Sequence, residues 1–220
     1  MTDEFLTLEG LSDGYYMDRG SKFLAFAHPV QREEEAVRFL QSIRKEHPKA
    51  RHFCTAMRLF PDASLERSND DGEPSGSAGK PILGQLISHH LTNSFIVVVR
   101  YFGGTKLGVP GLIEAYRTSA SNAIMNGTII KRKIYATVRI DLAYEQLPLF
   151  INHCRRTGVR IFDERYNETP SIILGFTKSA VVDELKKTLQ QYSQMDFDIP
   201  EDYARYMKIT LEFLKEDIIV

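Results

Sequence analysis

Two stretches of this chain hold residues whose types and spacing suit chemistry. The first is 68–81, SNDDGEPSGSAGKP, where Asp70, Asp71 and Glu73 crowd together among Gly72, Ser75, Gly76 and Gly79 before Lys80. Clustered carboxylates are donors for a hard cation, yet the aspartates are not at the alternate positions of an EF-hand loop and no glutamate closes it. A P-loop is excluded as well, because Lys80 is followed by Pro81 instead of Ser or Thr and Pro74 stands where the first glycine belongs. No metal is therefore expected, and the plainer role for these acids is pairing with Arg100, Lys106 or Arg117. The second stretch runs from Arg100 and Tyr101 through Gly103, Gly104, Lys106, Gly108 and Gly111. A glycine loop opening a helix, with a lysine inside it and an arginine before it, suits an anion, since free N–H groups and the helix dipole point at it. The same glycines would also serve a tight strand-to-helix connection. His52 and Cys54, two apart on a strand, share a face without forming a nucleophile–base pair, and a buried thiol is the simpler reading.

The elements that must carry these residues follow from periodicity. Phe95 to Phe102 is an apolar, β-branched run too short for a helix and so a central strand with both faces covered. Arg100 within it has to reach a partner or the strand's end, because an unpaired buried charge is costly. A helix is expected from Pro110, with Leu112, Ile113, Tyr116, Ala120, Ala123 and Ile124 on its apolar side and Gly127 as its stop. Upstream, residues 13–30 read as two strands about a turn at Arg19-Gly20-Ser21, 31–47 as a helix with Glu33, Glu34 and Glu35 early and Arg44 and Lys45 late, and 51–60 as a half-buried strand. A short helix is expected over 83–91.

After Thr128 the rhythm changes. Strand 134–142, helix 145–157, strand 159–166, strand 172–176, helix 181–192 and extended chain to the end make βαββαβ, the ferredoxin-like order. The last strand could be 196–199 or 206–213. This places an α+β chain in two domains, 1–127 and 128–220.

Composition narrows function less. Net charge is −1, with 43% hydrophobic and 26% charged residues, so no global basic signature of nucleic-acid binding exists. Residues 128–160 nevertheless hold seven basic against two acidic side chains, including Lys131, Arg132, Lys133, Arg155 and Arg156, a candidate basic patch. Cys54 and Cys154 stand alone, without a CxxC pair, as in a reduced cytoplasmic protein. No segment has the length and apolar character of a signal peptide or a membrane span.

The long motif Asp70-Asp71-Gly72-Glu73-Pro74-Ser75-Gly76-Ser77-Ala78-Gly79-Lys80-Pro81, followed by Val97 through Gly108, resembles the signature of the YigZ/IMPACT family, with Ser21-Lys22-Phe23 and His52-Phe53-Cys54 at the family's shorter motifs. Pro110 departs from the glycine usual there. The resemblance implies an N-terminal domain like the second domain of small-subunit ribosomal protein five and a C-terminal domain similar to a ferredoxin-like domain of elongation factor G. It also implies translational regulation, since eukaryotic relatives compete for the activator protein of the initiation-factor kinase, and it brings no catalytic residues and no cofactor.

Three functions remain from different classes. The first is a non-enzymatic, translation-associated regulator that binds RNA, the ribosome or a translation-linked protein through Asp70, Asp71, Glu73, Ser75, Lys80, Arg100, Tyr101, Gly103, Gly104, Lys106 and Arg117. The second is an enzyme acting on a phosphorylated small molecule or nucleotide through the glycine-rich loops. The third is a pure protein–protein regulator that docks through 70–80. The functional surface is expected where the 70–80 and 103–111 loops meet, and that they are adjacent is itself an expectation.

Overall fold

The computed structural model describes residues 2–214 and 218–220. The chain divides into two compact units, one of Glu4–Arg132 and one of Lys133–Val220 with the start of the chain. The division falls inside one long strand.

In the first unit the elements run β1 (Glu4–Leu8), β2 (Ser12–Asp18), β3 (Ser21–Pro29), α1 (Glu33–Glu46), β4 (His52–Leu59), β5 (Leu65–Asn69), α2 (Gly79–Ser88), β6 (Ser94–Tyr101) and α3 (Gly108–Asn126). Five of the strands form an antiparallel sheet in the order β2-β3-β6-β4-β5. The apolar run thus becomes the middle strand β6, buried from Ser94 to Arg100. Alternation sends Phe23, Ala25, Ala27, Cys54, Ala56, Ile96 and Val98 to one face, under Ile82 and Leu86 of α2 and Leu112, Tyr116 and Ala120 of α3. Phe53, Met57, Leu59, Val97 and Val99 face the other way, onto Ala36 and Ile43 of α1. Three layers result, α1, the sheet and the α2–α3 pair, with β6 covered on both sides.

Several boundaries differ from expectation for physical reasons. β6 ends at Tyr101, and Phe102 leaves it to stand 57% exposed. The next backbone N–H, of Gly103, is taken by Ser21 Oγ at 3.1 Å. The helix expected over 83–91 starts at Gly79, because a carboxylate from outside it receives the N–H groups of Ala78 and Gly79. α3 begins at Gly108, which places Pro110 in its first turn, where the missing N–H does no harm. Gly127 ends α3 in an extended conformation, φ −91°, instead of the left-handed stop. A Cβ there would lie 2.7 Å from Ser12 Oγ, so packing is what requires glycine.

The second unit follows with β7 (Ile129–Asp141), α4 (Leu147–Thr157), β8 (Arg160–Arg165), β9 (Ser171–Thr177), α5 (Val181–Ser193), α6 (Pro200–Met207), β10 (Thr210–Phe213) and β11 (Ile218–Ile219). β10, β7, β9 and β8 are antiparallel neighbours in that order, the ferredoxin-like sheet. Gly158, at φ 76°, closes α4. The last paired strand of the motif lies inside the 206–213 alternative. The extended stretch expected at the end contains α6, with Pro200, Glu201 and Asp202 in its first turn and Tyr203, Ala204 and Met207 buried against the core. Part of that stretch, 215–217, lies outside the described residues. Among the described residues no helix is long and apolar enough to cross a membrane.

Candidate functional site

Arg100 is the next-to-last residue of β6 and points to the α2–α3 face, with Phe23 of β3 on one side in register and His52 of β4 on the other. Only 8% of its side chain is exposed, so it needs a counter-charge. Glu73 supplies it. Arg100 Nη1 donates to Glu73 Oε1 at 2.6 Å, and the Glu73 side chain is 4% exposed. The same oxygen accepts from the Tyr116 hydroxyl of α3 at 2.8 Å. Cys54 Sγ donates to that hydroxyl at 3.2 Å and lies 3.0 Å from the Asp70 carbonyl. A chain of contacts therefore ties β4, β6 and α3 to the acidic loop. Burial pushes the Cys54 thiol up to about 12, with Glu73, Asp71 and Asp70 adding to it, so at neutral pH it is no thiolate nucleophile. The Tyr116 hydroxyl is raised too, first by burial and then by Cys54 and Glu73.

The other two acids of the loop shape it. Asp70 Oδ2 accepts from Gly76 N at 2.8 Å, while Oδ1 accepts from Ala78 N at 3.0 Å and Gly79 N at 2.8 Å, which caps α2 from eight residues upstream. Burial alone would raise the Asp70 carboxyl, but these three N–H groups and nearby Lys80 hold it below the usual range. Asp71 Oδ2 takes the Phe53 N–H at 2.7 Å, Oδ1 takes Arg44 Nη2 at 3.0 Å, and its carbonyl sits 2.9 Å from His52 Nδ1. A carbonyl only accepts, so Nδ1 of His52 carries a proton, and in the neutral ring Nε2 is then an acceptor. The cation set considered from sequence is thus broken up, each carboxylate being engaged by protein donors. No cluster suited to a metal occurs among the described residues.

Between the 70–80 loop and the start of α3 lies a pocket of about 720 Å³. Lys49, Arg51, Arg100 and Lys106 line it against one acid, Glu73, with His52 beside them. The first turn of α3 forms one wall through Gly108 and Val109, has no side-chain cap and carries no acidic residue. Among the described residues no side chain accepts from its N–H groups, whereas Asp70 accepts from those at the start of α2. Phe102 stands on the wall with Arg100 Cζ 5.6 Å from its ring centre. Arg100 Cζ also lies 5.5 Å from the Phe23 ring, and Arg100 Nε is buried with no hydrogen-bond partner among the described residues. A concave, positively lined cavity with unused donors is suited to an anion.

The pocket gathers Glu73, Arg100, Tyr101 and Lys106 from the residues singled out by sequence. The remainder fall elsewhere. Asp70 and Asp71 hold the loop, Ser75 and Lys80 are exposed, and Arg117 pairs with Glu114 at 3.0 Å on the outer face of α3. Gly103 is a packing glycine, since a Cβ on it would lie 1.9 Å from Gly20 C at the β2–β3 turn. Gly104, at φ 87°, has open space and supplies conformation only. Of the basic run, Lys131 pairs with Glu4 at 2.7 Å and Arg155 with Glu164 at 2.9 Å. Lys131 and Arg132 belong to the first unit while Lys133, Arg155 and Arg156 belong to the second, so the run is no feature of one unit. Sequence reading missed Lys49, Arg51, Phe102 and the contribution of His52. The triplet Lys49-Ala50-Arg51 directly before a strand was the available signal, but its place beside Arg100 depends on the β4–β6 register.

Comparison with known proteins follows the same stretch. A family model described as the Impact N-terminal domain matches residues 19–124, which include both loops of the pocket. A Bacillus subtilis (strain 168) protein, IMPACT family member YvyE, is 29% identical over 216 residues, 98% of this chain and 99% of that protein. An IMPACT family member of Haemophilus influenzae is 34% identical over 166 residues, 73% of this chain and 79% of that one. A solved structure, described as a hypothetical protein, aligns with a TM-score of 0.66 at 27% identity over 98% of this chain and 100% of its own.

Proposed function

The chain belongs to the IMPACT family, and we propose that it is a translation-associated regulator of the cytoplasm whose N-terminal unit binds RNA through the pocket at Arg100. The observation that carries this reading is the unanswered positive wall. Lys49, Arg51 and Lys106 join an uncapped α3 N-terminus, while the single acid of the pocket is already committed to Arg100. Phosphate oxygens fit such a wall, and helix N-termini with lysine are common phosphate contacts. The exposed Phe102 ring at its side offers a face on which a base can stack. The regulatory role rests on the family, whose eukaryotic members the motif resemblance marks as regulators of translation.

The test is co-sedimentation with ribosomes and with free RNA, comparing wild type with a Lys49→Glu/Lys106→Glu variant. Both lysines are exposed, so the variant should fold. Arg100→Glu is the wrong probe, because it would bury a second carboxylate against Glu73. Loss of sedimentation in the variant supports the reading. Sedimentation equal to wild type contradicts it, and retention on ribosomes that survives high salt points to a protein partner instead.

A further inference from the structure

We propose that this pocket recognises a ribonucleoside 5′-phosphate unit, phosphate and ribose cis-diol together, as found on a free mononucleotide or at the 3′ end of an RNA strand. This rests on the reading of the pocket as an anion site and goes further by naming what else the anion must carry. The phosphate side is the α3 first turn, where Gly108 and Val109 line the wall without a side-chain cap, reinforced by Lys106 and by Arg100. The Arg100 side chain is more than nine-tenths buried and its Nε has no partner among the described residues. Glu73 fixes the guanidinium from one side at 2.6 Å and thereby preorganises it for an incoming anion.

A bare phosphate would leave the rest of the site unused. Two residues that carry acceptor atoms, Glu73 and His52, also line the pocket. Glu73 Oε1 takes both the Arg100 and the Tyr116 hydrogen bonds, so Oε2 is left with none among the described residues. His52 donates through Nδ1 to the Asp71 carbonyl, and in its neutral form Nε2 is an acceptor. Acceptors cannot bind a fully ionised phosphate, but they are matched by hydroxyl donors, and a ribose cis-diol presents two side by side. Phe102, on the same wall and 57% exposed, supplies a stacking face for the base. The volume of about 720 Å³ suits one nucleotide and its immediate neighbours rather than a long tract of strand. Phosphate donors, hydroxyl acceptors and an aromatic face thus converge on one unit with a free cis-diol.

Isothermal titration of the full chain at low salt with AMP, 2′-deoxy-AMP and inorganic phosphate tests the chemistry. RNA oligonucleotides ending in a free cis-diol or in a 2′,3′-dideoxy nucleotide separate the two sources. The proposal expects AMP to bind more tightly than 2′-deoxy-AMP by roughly tenfold or more, since a hydroxyl lost opposite a charged acceptor leaves that acceptor unpaired. It expects Phe102→Ala to weaken AMP by about ten- to a hundredfold. Phe102 is exposed, so its truncation leaves the fold intact, and His52→Ala gives a second, independent variant expected to weaken AMP more than phosphate. A preference for the cis-diol end over the dideoxy end assigns the site to RNA termini, whereas AMP binding with equal affinity for both oligonucleotides assigns it to free nucleotides. Inorganic phosphate binding as tightly as AMP overturns the proposal. RNA binding that ignores the 3′ end, with no AMP binding, overturns it and leaves the RNA reading standing. No binding of any probe removes the anion reading itself.

Discussion

Arg100 Nη1 and Glu73 Oε1 meet at 2.6 Å, with neither side chain more than 8% exposed. This one contact clamps the acidic loop to the middle strand and sets the guanidinium on the wall of the pocket.

Glu73→Ala should therefore leave a buried cation without its partner and strip the Tyr116 hydroxyl of its acceptor. A loss of about 3–5 kcal/mol is expected, measured as a shift in the urea midpoint. Glu73→Leu combined with Arg100→Met removes both charges and should cost less than the single change. A double variant as unstable as the single would contradict the pairing account.

Asp70 tests the cap. Its carboxylate receives three N–H groups at the start of α2, so Asp70→Ala should cost about 1–2 kcal/mol. The folded carboxyl lies below its unfolded value of 3.8, so this stabilisation is present above that pH and is lost as pH falls through the folded value. The gap between wild type and Asp70→Ala should accordingly narrow below about pH 4, the ordinary carboxylate range. A gap constant from pH 6 to pH 2 would refute the assignment.

The two glycines of the loop should separate. Gly103→Ala drives a methyl group to 1.9 Å from the backbone of Gly20 and should cost about 3 kcal/mol or more, the upper end of overpacking losses. Gly104→Ala meets no atom within 4 Å and should cost only the left-handed strain, roughly 1–2 kcal/mol. Equal losses beyond that range at both positions would mean that the loop packs differently.

Cys54 and Cys154 are both buried, and burial pushes each thiol up to about 12. Neither should react with a thiol-specific disulfide reagent at pH 8 in the native state, and both should react in denaturant. Rapid stoichiometric labelling of the folded protein would contradict the buried network around Cys54.

Much of the scaffold was legible because its signals are local. The run through Val97, Val98 and Val99 marked the middle strand, the glycines after it marked the connection to α3, and period changes after Thr128 gave the ferredoxin-like order. α6 was missed because its apolar face is only Tyr203, Ala204 and Met207 in two turns, too short a pattern to stand out from its charged neighbours. The site was half legible. Arg100 demanded a partner, and Glu73 stood among the candidates. That Asp70 reaches forward to Ala78 and Gly79, that Phe102 leaves the strand, and that His52 pairs with Arg100 across β4 and β6 all depend on tertiary register, which residue spacing does not encode.

The central claim is a phosphate-binding wall at the start of α3. It is tested most directly by fluorescence anisotropy of a labelled single-stranded RNA titrated with wild type and with Lys106→Glu across a potassium chloride series. The account predicts that wild-type affinity falls linearly in the logarithm of salt, and that the variant binds more weakly with a slope shallower by about 0.7, one phosphate contact on a single strand. Equal affinity and equal slope for the two proteins would contradict it.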